Sequence, residues 1–245
     1  MSGLKRFFAD GLTVGGFCEL TGEEFEHAKN VLRICVGDEV VLLDNSGKDF
    51  SAVATEVNKK SLTFRIVREE IGSREANGDV ALLFGYLKNA DKNEFIVQKA
   101  VELGVKKLFV FSSDYSSAYM NENKLERLNK VSKEAAKQCL RSVAPTVEYC
   151  KTLEEALDRV TGYQNKVFAC EFATESEISL SELTGSVALA VGSEGGFSER
   201  EAQLAKEKGF SFVTLGKRIL RAETAAVSLT AVTMFALGEL GGIKE

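Results

Sequence analysis

From Val80 onward, short apolar runs alternate with segments whose apolar residues recur at helical spacing. Residues 81–86 predict a buried strand, residues 96–103 have the periodicity of a helix, and residues 108–111 predict the next strand. Strands that alternate with helices in this way form a mostly parallel sheet that is covered on both faces. The alternation therefore predicts an α/β domain.

The same alternation continues over the rest of the chain. Further strands are predicted at residues 147–149, 166–171, 187–191 and 212–215, and helices at residues 121–141, 153–160, 199–208 and 224–240. The last helix is apolar, but Ser228, Thr230, Thr233 and Glu239 interrupt it, and it is shorter than the roughly 20 apolar residues of a membrane span. We expect it to be a buried helix, with no membrane partner.

The first 70 residues have a different pattern. Short β-type runs separated by turn residues lie at residues 6–8, 38–43, 50–57 and 61–67, and a helix-like segment follows the first of them at residues 27–34. This pattern predicts a small β-barrel. Residues 69–79 lack apolar periodicity and predict a linker, so we expect two domains, at residues 1–72 and 73–245.

Composition narrows the class of protein further. The five cysteines form no C-x-x-C pair, so neither a disulfide framework nor a zinc site is expected, and no other metal cluster is suggested. The first residues lack an apolar signal segment, which predicts a cytoplasmic location. The net charge of −5 argues against binding of nucleic acid by bulk electrostatics, so any RNA site must be local.

The most informative segment is the glycine-rich turn that follows the predicted strand at residues 187–191. It contains Gly192, Gly195 and Gly196, and Ser198 with Glu201 predicts a capping box for the next helix. Ligands of open α/β sheets bind at the carboxyl ends of strands, where glycines let the backbone approach the ligand. The turn is therefore a candidate ligand loop, although an ordinary strand-to-helix turn would contain the same residues.

The charges of this turn indicate which ligand it suits. Glu194 lies within it, and Glu199 and Glu201 occupy the first turn of the next helix, so a phosphate is disfavoured. The chain also lacks the G-x-x-x-x-G-K-[ST] and G-x-G-x-x-G patterns. A neutral nucleoside or a sulfonium cation fits better than ATP or a dinucleotide.

A second glycine-containing segment, residues 215–226, also follows a strand and begins a helix. Arg221 stands where that helix begins, and a cation there opposes the helix dipole unless Glu223 or a bound polyanion compensates. Arg221 is therefore a candidate to bind RNA phosphate or a target base, with a solvated loop charge as the alternative. Glu134, Gln138 and Arg141 form a polar stripe on the long helix, which ordinary helix surface explains as well.

Four separated segments together resemble one known family. They are residues 98–105, 134–141, 191–198 and 215–225, and Arg6-Phe7-Phe8 and residues 27–33 add to the likeness at the front of the chain. The sequence resembles the RsmE family, which are bacterial small-subunit ribosomal RNA uridine N3-methyltransferases of the SPOUT superfamily. The likeness covers nearly the whole chain.

The resemblance implies an α/β fold, with a C-terminal SPOUT domain whose mostly parallel sheet ends in a trefoil knot, after an N-terminal PUA-like β-barrel. It implies S-adenosyl-L-methionine as cofactor, held by the two glycine segments, and a homodimer whose sites are completed at the interface. The residues expected to bind the cofactor are Glu171, Val191, Gly192, Glu194, Gly195, Gly196, Leu215, Gly216, Ile219 and Leu220.

The implied reaction is methylation of a uridine N3 in 16S ribosomal RNA, on the assembled small ribosomal subunit. Because that nitrogen carries a proton, the expected catalytic roles are anion stabilisation by Arg221, orientation of Arg221 by Glu223, and binding of the base or a phosphate by Arg141. The residues expected to contact RNA are Arg6, His27, Lys29, Arg33, Lys217 and Arg218.

Two positions depart from the family pattern, which has proline where Ser193 stands and threonine where Ala222 stands. Because serine does not fix a backbone angle as proline does, Ser193 is expected to loosen the first turn. Three other functions stay open: a SPOUT ribose 2′-O-methyltransferase acting on tRNA or rRNA, a catalytically silent RNA-binding protein of ribosome assembly, and a nicotinamide-dependent oxidoreductase. The missing dinucleotide pattern disfavours the last.

Overall fold

The computed structural model describes residues 4–116 and 118–242, which divide into two compact units. The N-terminal unit comprises the chain up to Glu75 together with the segment Ala136–Ala144, and the C-terminal unit comprises Ala76–Ala135 and the chain from Pro145 onward. The first unit therefore ends close to the predicted boundary at residue 72. The return of residues 136–144 to this unit was not predicted.

The N-terminal unit is a five-stranded sheet with a short helical segment. Its elements are β1 (Lys5–Phe8), β2 (Phe17–Leu20), α1 (Gly22–Glu26), a π-helical turn (His27–Val31), β3 (Glu39–Leu43), β4 (Lys48–Val57) and β5 (Leu62–Ile71). The strand order is β1-β3-β4-β5-β2, with β1 parallel to β3 and the other pairs antiparallel. Alternate residues of β4 and β5 face a common core that includes Phe50, Phe64 and Ile66.

The C-terminal unit alternates strands and helices as predicted. Its elements are β6 (Val80–Gly85), α2 (Ala90–Glu102), β7 (Lys107–Phe111), α3 (Glu122–Gln138), β8 (Val147–Cys150), α4 (Leu153–Asp158), β9 (Asn165–Ala169), a 3-10 turn (Leu180–Glu182), β10 (Val187–Val191), α5 (Glu199–Glu207), β11 (Ser211–Val213) and α6 (Ala222–Ala236). The last residues of α3 belong to the N-terminal unit. No helix of residues 4–116 and 118–242 is long and apolar enough to cross a membrane.

The sheet of this unit has the order β11-β9-β10-β6-β7-β8, and every neighbouring pair is parallel. The central strands β6 and β10 are buried along their whole length, which explains why both read as uninterrupted apolar runs. Val191 at the end of β10 pairs with Phe84 near the end of β6. The loops that follow these two strands therefore leave the sheet side by side.

Local backbone conformation sets the ends of α6. The helix was predicted over residues 224–240 but begins at Ala222, because Arg221 already takes the extended conformation of an N-cap residue. It ends at Ala236, and Gly238 has a φ of +77°, the left-handed conformation that commonly terminates helices. The long helix α3 likewise stops before the predicted residue 141, since Leu140 has a φ of +66°.

Candidate active site

A cavity of about 760 Å³ lies in the C-terminal unit at the carboxyl ends of β9, β10 and β11. This volume suits a nucleoside-sized ligand. The cavity is lined by the end of β9 and the residues after it, both glycine segments, the first turn of α6, and Lys92 of α2. Every residue predicted to bind the cofactor lines it, as do Lys217, Arg218, Arg221 and Glu223.

The first glycine segment, residues 192–196, folds tightly on itself. The backbone N–H of Gly196 donates to the carbonyl of Ser193 at 3.0 Å, which closes a turn. A Cβ on Gly192 would lie 2.9 Å from the carbonyl carbon of Gly196, and Gly196 itself has a φ of +68°. Both positions therefore require glycine, since a side chain at either would force the turn open.

Core packing and hydrogen bonds hold this segment in place. The ring of Phe197 is fully buried and stacks on Phe168, with the ring centroids 4.0 Å apart. Glu194 accepts a hydrogen bond from the backbone N–H of Lys88 at 3.0 Å. The hydroxyl of Ser193, a residue only 5% exposed, lies 3.0 Å from the hydroxyl of Ser113. Ser193 therefore gains a buried contact that proline could not make, which offsets the predicted loosening of the turn.

The helix that follows begins with the predicted capping box. Ser198 accepts from the backbone N–H of Glu201 at 3.1 Å, and the Glu201 carboxylate accepts from the backbone N–H of Ser198 at 2.9 Å. The other Glu201 oxygen accepts from the backbone N–H of Asp114 at 3.0 Å. Burial raises the pKa of Glu201, whereas hydrogen bonds from Arg200 and Ser198 lower the pKa of Asp114. The N-terminus of α5 is thus occupied by the chain's own carboxylate.

The second glycine segment contributes cations on the rim of the cavity. Lys217, Arg218 and Arg221 are exposed, and Ile219 is 97% exposed. Arg221 is the N-cap residue of α6, but its side chain makes no capping hydrogen bond. Its charge opposes the helix dipole by about 0.3–1 kcal/mol, so an anion bound here would relieve an existing cost.

Glu223 is the acidic residue closest along the chain to these cations. Its Oε1 lies 3.1 Å from Nζ of Lys92, and the charge of Arg221 also acts on it, so the orientation of Arg221 by Glu223 stays a prediction. Its Oε2 is buried and has no hydrogen-bond partner. Burial alone would raise the pKa of Glu223, but its own backbone N–H and Lys92 bring the pKa below its usual value. The carboxylate is therefore ionised, with one acceptor oxygen still available.

Lys92 is a site residue that the sequence reasoning missed. It stands in the first turn of α2, directly after the loop that leaves β6. The strands before Lys92 and before the first glycine segment, β6 and β10, are neighbours in one parallel sheet. The residues that follow them therefore lie at the same edge, but the sequence predicts the two strands without their order.

Arg6, His27, Lys29, Arg33 and Arg141 lie in the N-terminal unit, outside the residues that line the cavity. Lys29 donates to the carbonyl of Asn58 at 3.0 Å, and Arg33 is exposed with a φ of +52°. His27 is half-buried, with its ring 6.5 Å from that of Phe7.

Two of these arginines are buried within ion pairs. The side chain of Arg6 is 9% exposed and donates to Asp49 at 2.6 Å, with its Nε buried and without a partner. Arg141 donates twice to Glu75, at 2.8 and 3.1 Å. The role of Arg141 in holding the target base or a phosphate stays a prediction, and its guanidinium pairs with Glu75 inside the N-terminal unit. Its location therefore favours a structural role, which is to join residues 136–144 to the end of the linker.

The described parts of the chain, residues 4–116 and 118–242, contain no group of three or more His, Cys, Asp or Glu side chains that could hold a metal ion.

Comparison with known proteins identifies the family. The model of an RNA methyltransferase domain matches residues 74–234, and that of an RNA methyltransferase PUA domain matches residues 20–67. Ribosomal RNA small subunit methyltransferase E of Bacillus subtilis is 31% identical over 227 residues, which are 87% of this chain and 88% of that protein. The chain belongs to the RsmE family. The predicted fold class, a SPOUT α/β domain after a PUA-like domain, is confirmed with it.

Two solved structures resemble this RsmE family member over almost its whole length. The methyltransferase E of Neisseria gonorrhoeae, solved bound to S-adenosyl methionine, is 30% identical with a TM-score of 0.85 and covers 96% of this chain and 98% of its own. A methyltransferase of Legionella pneumophila, solved with the bound cofactor SAM, is 27% identical with a TM-score of 0.86, covering 95% and 98%.

Proposed function

We propose that this RsmE family member is an S-adenosylmethionine-dependent methyltransferase that modifies N3 of a uridine in 16S ribosomal RNA. The single observation that carries the proposal is the cavity of about 760 Å³ that the two glycine segments enclose together. Two relatives of the same fold are solved with this cofactor, and the Bacillus subtilis relative is named a small-subunit ribosomal RNA methyltransferase.

The residues of the cavity fit a cofactor with a positively charged sulfur. Glu171, Glu194 and Glu223 line the cavity, and Glu223 retains a buried acceptor oxygen without a partner. Gly192 and Gly196 let the turn pack closely on itself and on the carboxylate of Glu171, since a Cβ at either position would clash with these atoms. The N-terminus of α5, the natural phosphate site, is closed by the carboxylate of Glu201. A nucleoside carrying a sulfonium is therefore preferred over a nucleotide.

Methyl transfer to uridine N3 requires alignment of the base with the methyl group and removal of the N3 proton. S-adenosylmethionine supplies an electrophilic methyl group when it is bound. The chain must hold the target base in line with that group, exclude water, and stabilise the anion that forms as uridine N3 loses its proton. Arg221 is placed for this last task, because it lies on the cavity rim with no partner in the capping position. The pair of Lys92 and Glu223 fixes the first turn of α6 beneath it.

The negative charge of Glu223 in the cavity predicts the effect of Glu223→Gln. The substitution keeps the shape of the side chain and removes one negative charge from the cavity. We expect the preference for S-adenosylmethionine over S-adenosylhomocysteine, which lacks the charge on sulfur, to fall about fivefold, or about 1 kcal/mol. Calorimetric Kd values for both compounds measure this ratio. Glu182→Gln, outside the cavity, is the control, and an unchanged ratio in Glu223→Gln would contradict the electrostatic role.

RNA contacts are proposed at exposed and half-buried basic residues. Lys217 and Arg218 flank the cavity, and Lys29 and Arg33 with His27 belong to the N-terminal unit. Arg6 is the weakest candidate, since RNA phosphate would have to replace Asp49 as its partner. The assembled small subunit as substrate and a cytoplasmic location are parts of the same proposal.

We also propose that the active protein is a homodimer that associates through α6 and α2. Phe235 is 66% exposed, and Val232, one turn earlier on the same face of α6, is also exposed. Phe95 of α2 is a further exposed aromatic residue, and α2 packs against α6. Exposed apolar side chains on neighbouring helices are typical of an interface between copies.

The dimer proposal predicts that Phe235→Asp yields a monomer. A carboxylate in the middle of an apolar interface would be desolvated without a partner, so association should weaken by about 100-fold or more. Sedimentation velocity at micromolar concentration measures the change. Ile71→Asp, at an apolar position of the N-terminal unit that is 85% exposed, should leave the dimer intact. A wild-type monomer at that concentration would overturn the proposal.

The deciding experiment is methylation of hypomodified small ribosomal subunits by the purified protein with labelled S-adenosylmethionine. Nucleoside mass spectrometry of the product should show N3-methyluridine. A 2′-O-methylated ribose would instead assign the chain to ribose methylation. Absence of both methyl transfer and cofactor binding would identify a silent RNA-binding protein. Subunits and free 16S RNA are compared in parallel to test which is the substrate.

A further inference from the structure

The loop that follows β7, residues 112–116, contacts the first glycine segment at several points without lining the cavity. We call it the β7 loop. Ser113, which is 7% exposed, places its hydroxyl 3.0 Å from that of Ser193. Within the loop, Ser116 Oγ accepts from the backbone N–H of Ser113 at 2.9 Å. The Ser116 hydroxyl also lies 3.2 Å from that of Ser113, so the Ser113 hydroxyl is held by Ser116 as well as by Ser193.

The next residue, Asp114, is bound to the start of α5, which directly follows the glycine segment. Its backbone N–H donates to Glu201 at 3.0 Å, and its carboxylate accepts hydrogen bonds from Ser198 and Arg200. Ser198 and Glu201 form the capping box of α5. The β7 loop therefore connects the glycine turn on one side to the start of the helix on the other.

Tyr115 completes the contact. A Cβ added to Gly195 would lie 2.7 Å from the Cβ of Tyr115, so the backbone of the turn is already packed against this residue. Ser113 and Tyr115 contact the glycine segment at Ser193 and Gly195, and Asp114 contacts the start of α5 directly after it. Because they reach it from outside the cavity, any effect they have on a bound ligand must act through the backbone of that segment.

We propose that the β7 loop positions the glycine segment for the cofactor, with Ser113 and Asp114 as positioning residues. A flexible glycine turn must lose conformational freedom when it closes around a ligand, and contacts that fix the turn beforehand remove that cost from binding. Since Ser113 and Ser193 are each other's buried partners, they act as a unit. The inference rests on the proposed function, because it concerns how tightly S-adenosylmethionine is held.

The test is the Kd for S-adenosylmethionine, measured by calorimetry for Ser113→Ala, Ser193→Ala and the double variant. Ser113→Ala removes the buried partner of the Ser193 hydroxyl, so we expect the Kd to rise about tenfold. Ser193→Ala leaves Ser113 the hydroxyl of Ser116 at 3.2 Å, so its Kd should rise by a smaller factor. The double variant should be no weaker than the singles, because the same contact is removed. Ser113→Thr, which keeps the hydroxyl, should restore most of the affinity.

Ser112→Ala is the matched control. Its hydroxyl lies 2.9 Å from that of Tyr149 and does not meet the glycine segment, so the same chemical change one residue earlier should leave the Kd unchanged. In steady-state assays Ser113→Ala should raise the KM for the cofactor and leave the KM for RNA and the kcat at saturating cofactor within about twofold.

The outcomes separate the two proposals. Wild-type protein that binds no S-adenosylmethionine overturns the proposed function and the positioning role together. Wild-type binding with an unchanged Kd in Ser113→Ala overturns the positioning role alone. A lower thermal midpoint in Ser113→Ala with an unchanged Kd has the same meaning, since the contact would then serve stability only. Effects of the two single variants that add in the double variant would also contradict the proposed unit.

Discussion

Arg221→Ala should reduce the rate of methyl transfer by about 100-fold or more while the Kd for S-adenosylmethionine changes by less than about threefold. Arg221 lies on the cavity rim, and under the proposed mechanism it would face an anion that exists only as the uridine loses its proton. An interaction that forms only in the transition state lowers kcat and leaves ground-state binding intact. Single-turnover assays and calorimetry measure the two quantities separately.

The fold should tolerate this substitution. Arg221 makes no capping hydrogen bond, and removal of a cation from the N-terminus of α6 relieves an unfavourable interaction with the helix dipole. The thermal midpoint should therefore stay the same or rise slightly. Arg159→Ala, on an exposed ion pair of the same unit, controls for loss of an arginine. An equal loss of turnover and cofactor affinity, or no loss of turnover, would exclude Arg221 as the anion stabiliser.

Gly85→Ala should weaken binding of S-adenosylmethionine by about 100-fold although Gly85 does not line the cavity. A Cβ at the end of β6 would lie 2.5 Å from the backbone nitrogen of Ser193 and 3.0 Å from the carbonyl carbon of Gly192. Both strands are buried and held in parallel register, so neither can slide away. The glycine segment must therefore move.

Gly162→Ala provides the control for this prediction. A Cβ there would have no atom within 4 Å, and the backbone conformation is not left-handed, so the variant should bind the cofactor like the wild type. Calorimetric Kd values of both variants, together with circular dichroism to verify folding, are the measurement. A folded Gly85→Ala protein with wild-type affinity would show that the glycine segment can shift without cost to the cavity.

Much of the C-terminal unit follows from local sequence. The buried strands β6 and β10 are uninterrupted apolar runs, and the spacing of Ser198 and Glu201 predicts the capping box of α5. Glycines placed after a strand predict a ligand loop, and the family resemblance implies the particular cofactor residues, which the structure gathers around one cavity. These features depend on a few neighbouring residues, which is why they can be predicted from the sequence.

The missed features depend on residues far apart in the chain. Lys92 meets Glu223, and Ser113 meets Ser193, only because the sheet order brings their loops to one edge. The burial of Arg141 against Glu75 depends on a segment that returns to the N-terminal unit. Strand β2 has only four residues, too few for a period-two pattern to be distinguished from chance. The hydropathy pattern of the sequence does not predict which of these distant residues come into contact.

The cavity is lined by residues of α2, near the start of the C-terminal unit, and of α6, at the end of it. During synthesis, a nascent chain that stops short of residue 214 possesses the first glycine segment but none of the second. Such a chain has half of a binding site, so ligand binding cannot help the earlier strands to fold. The enzyme must assemble its sheet unaided and acquire its methyl donor only as a finished molecule.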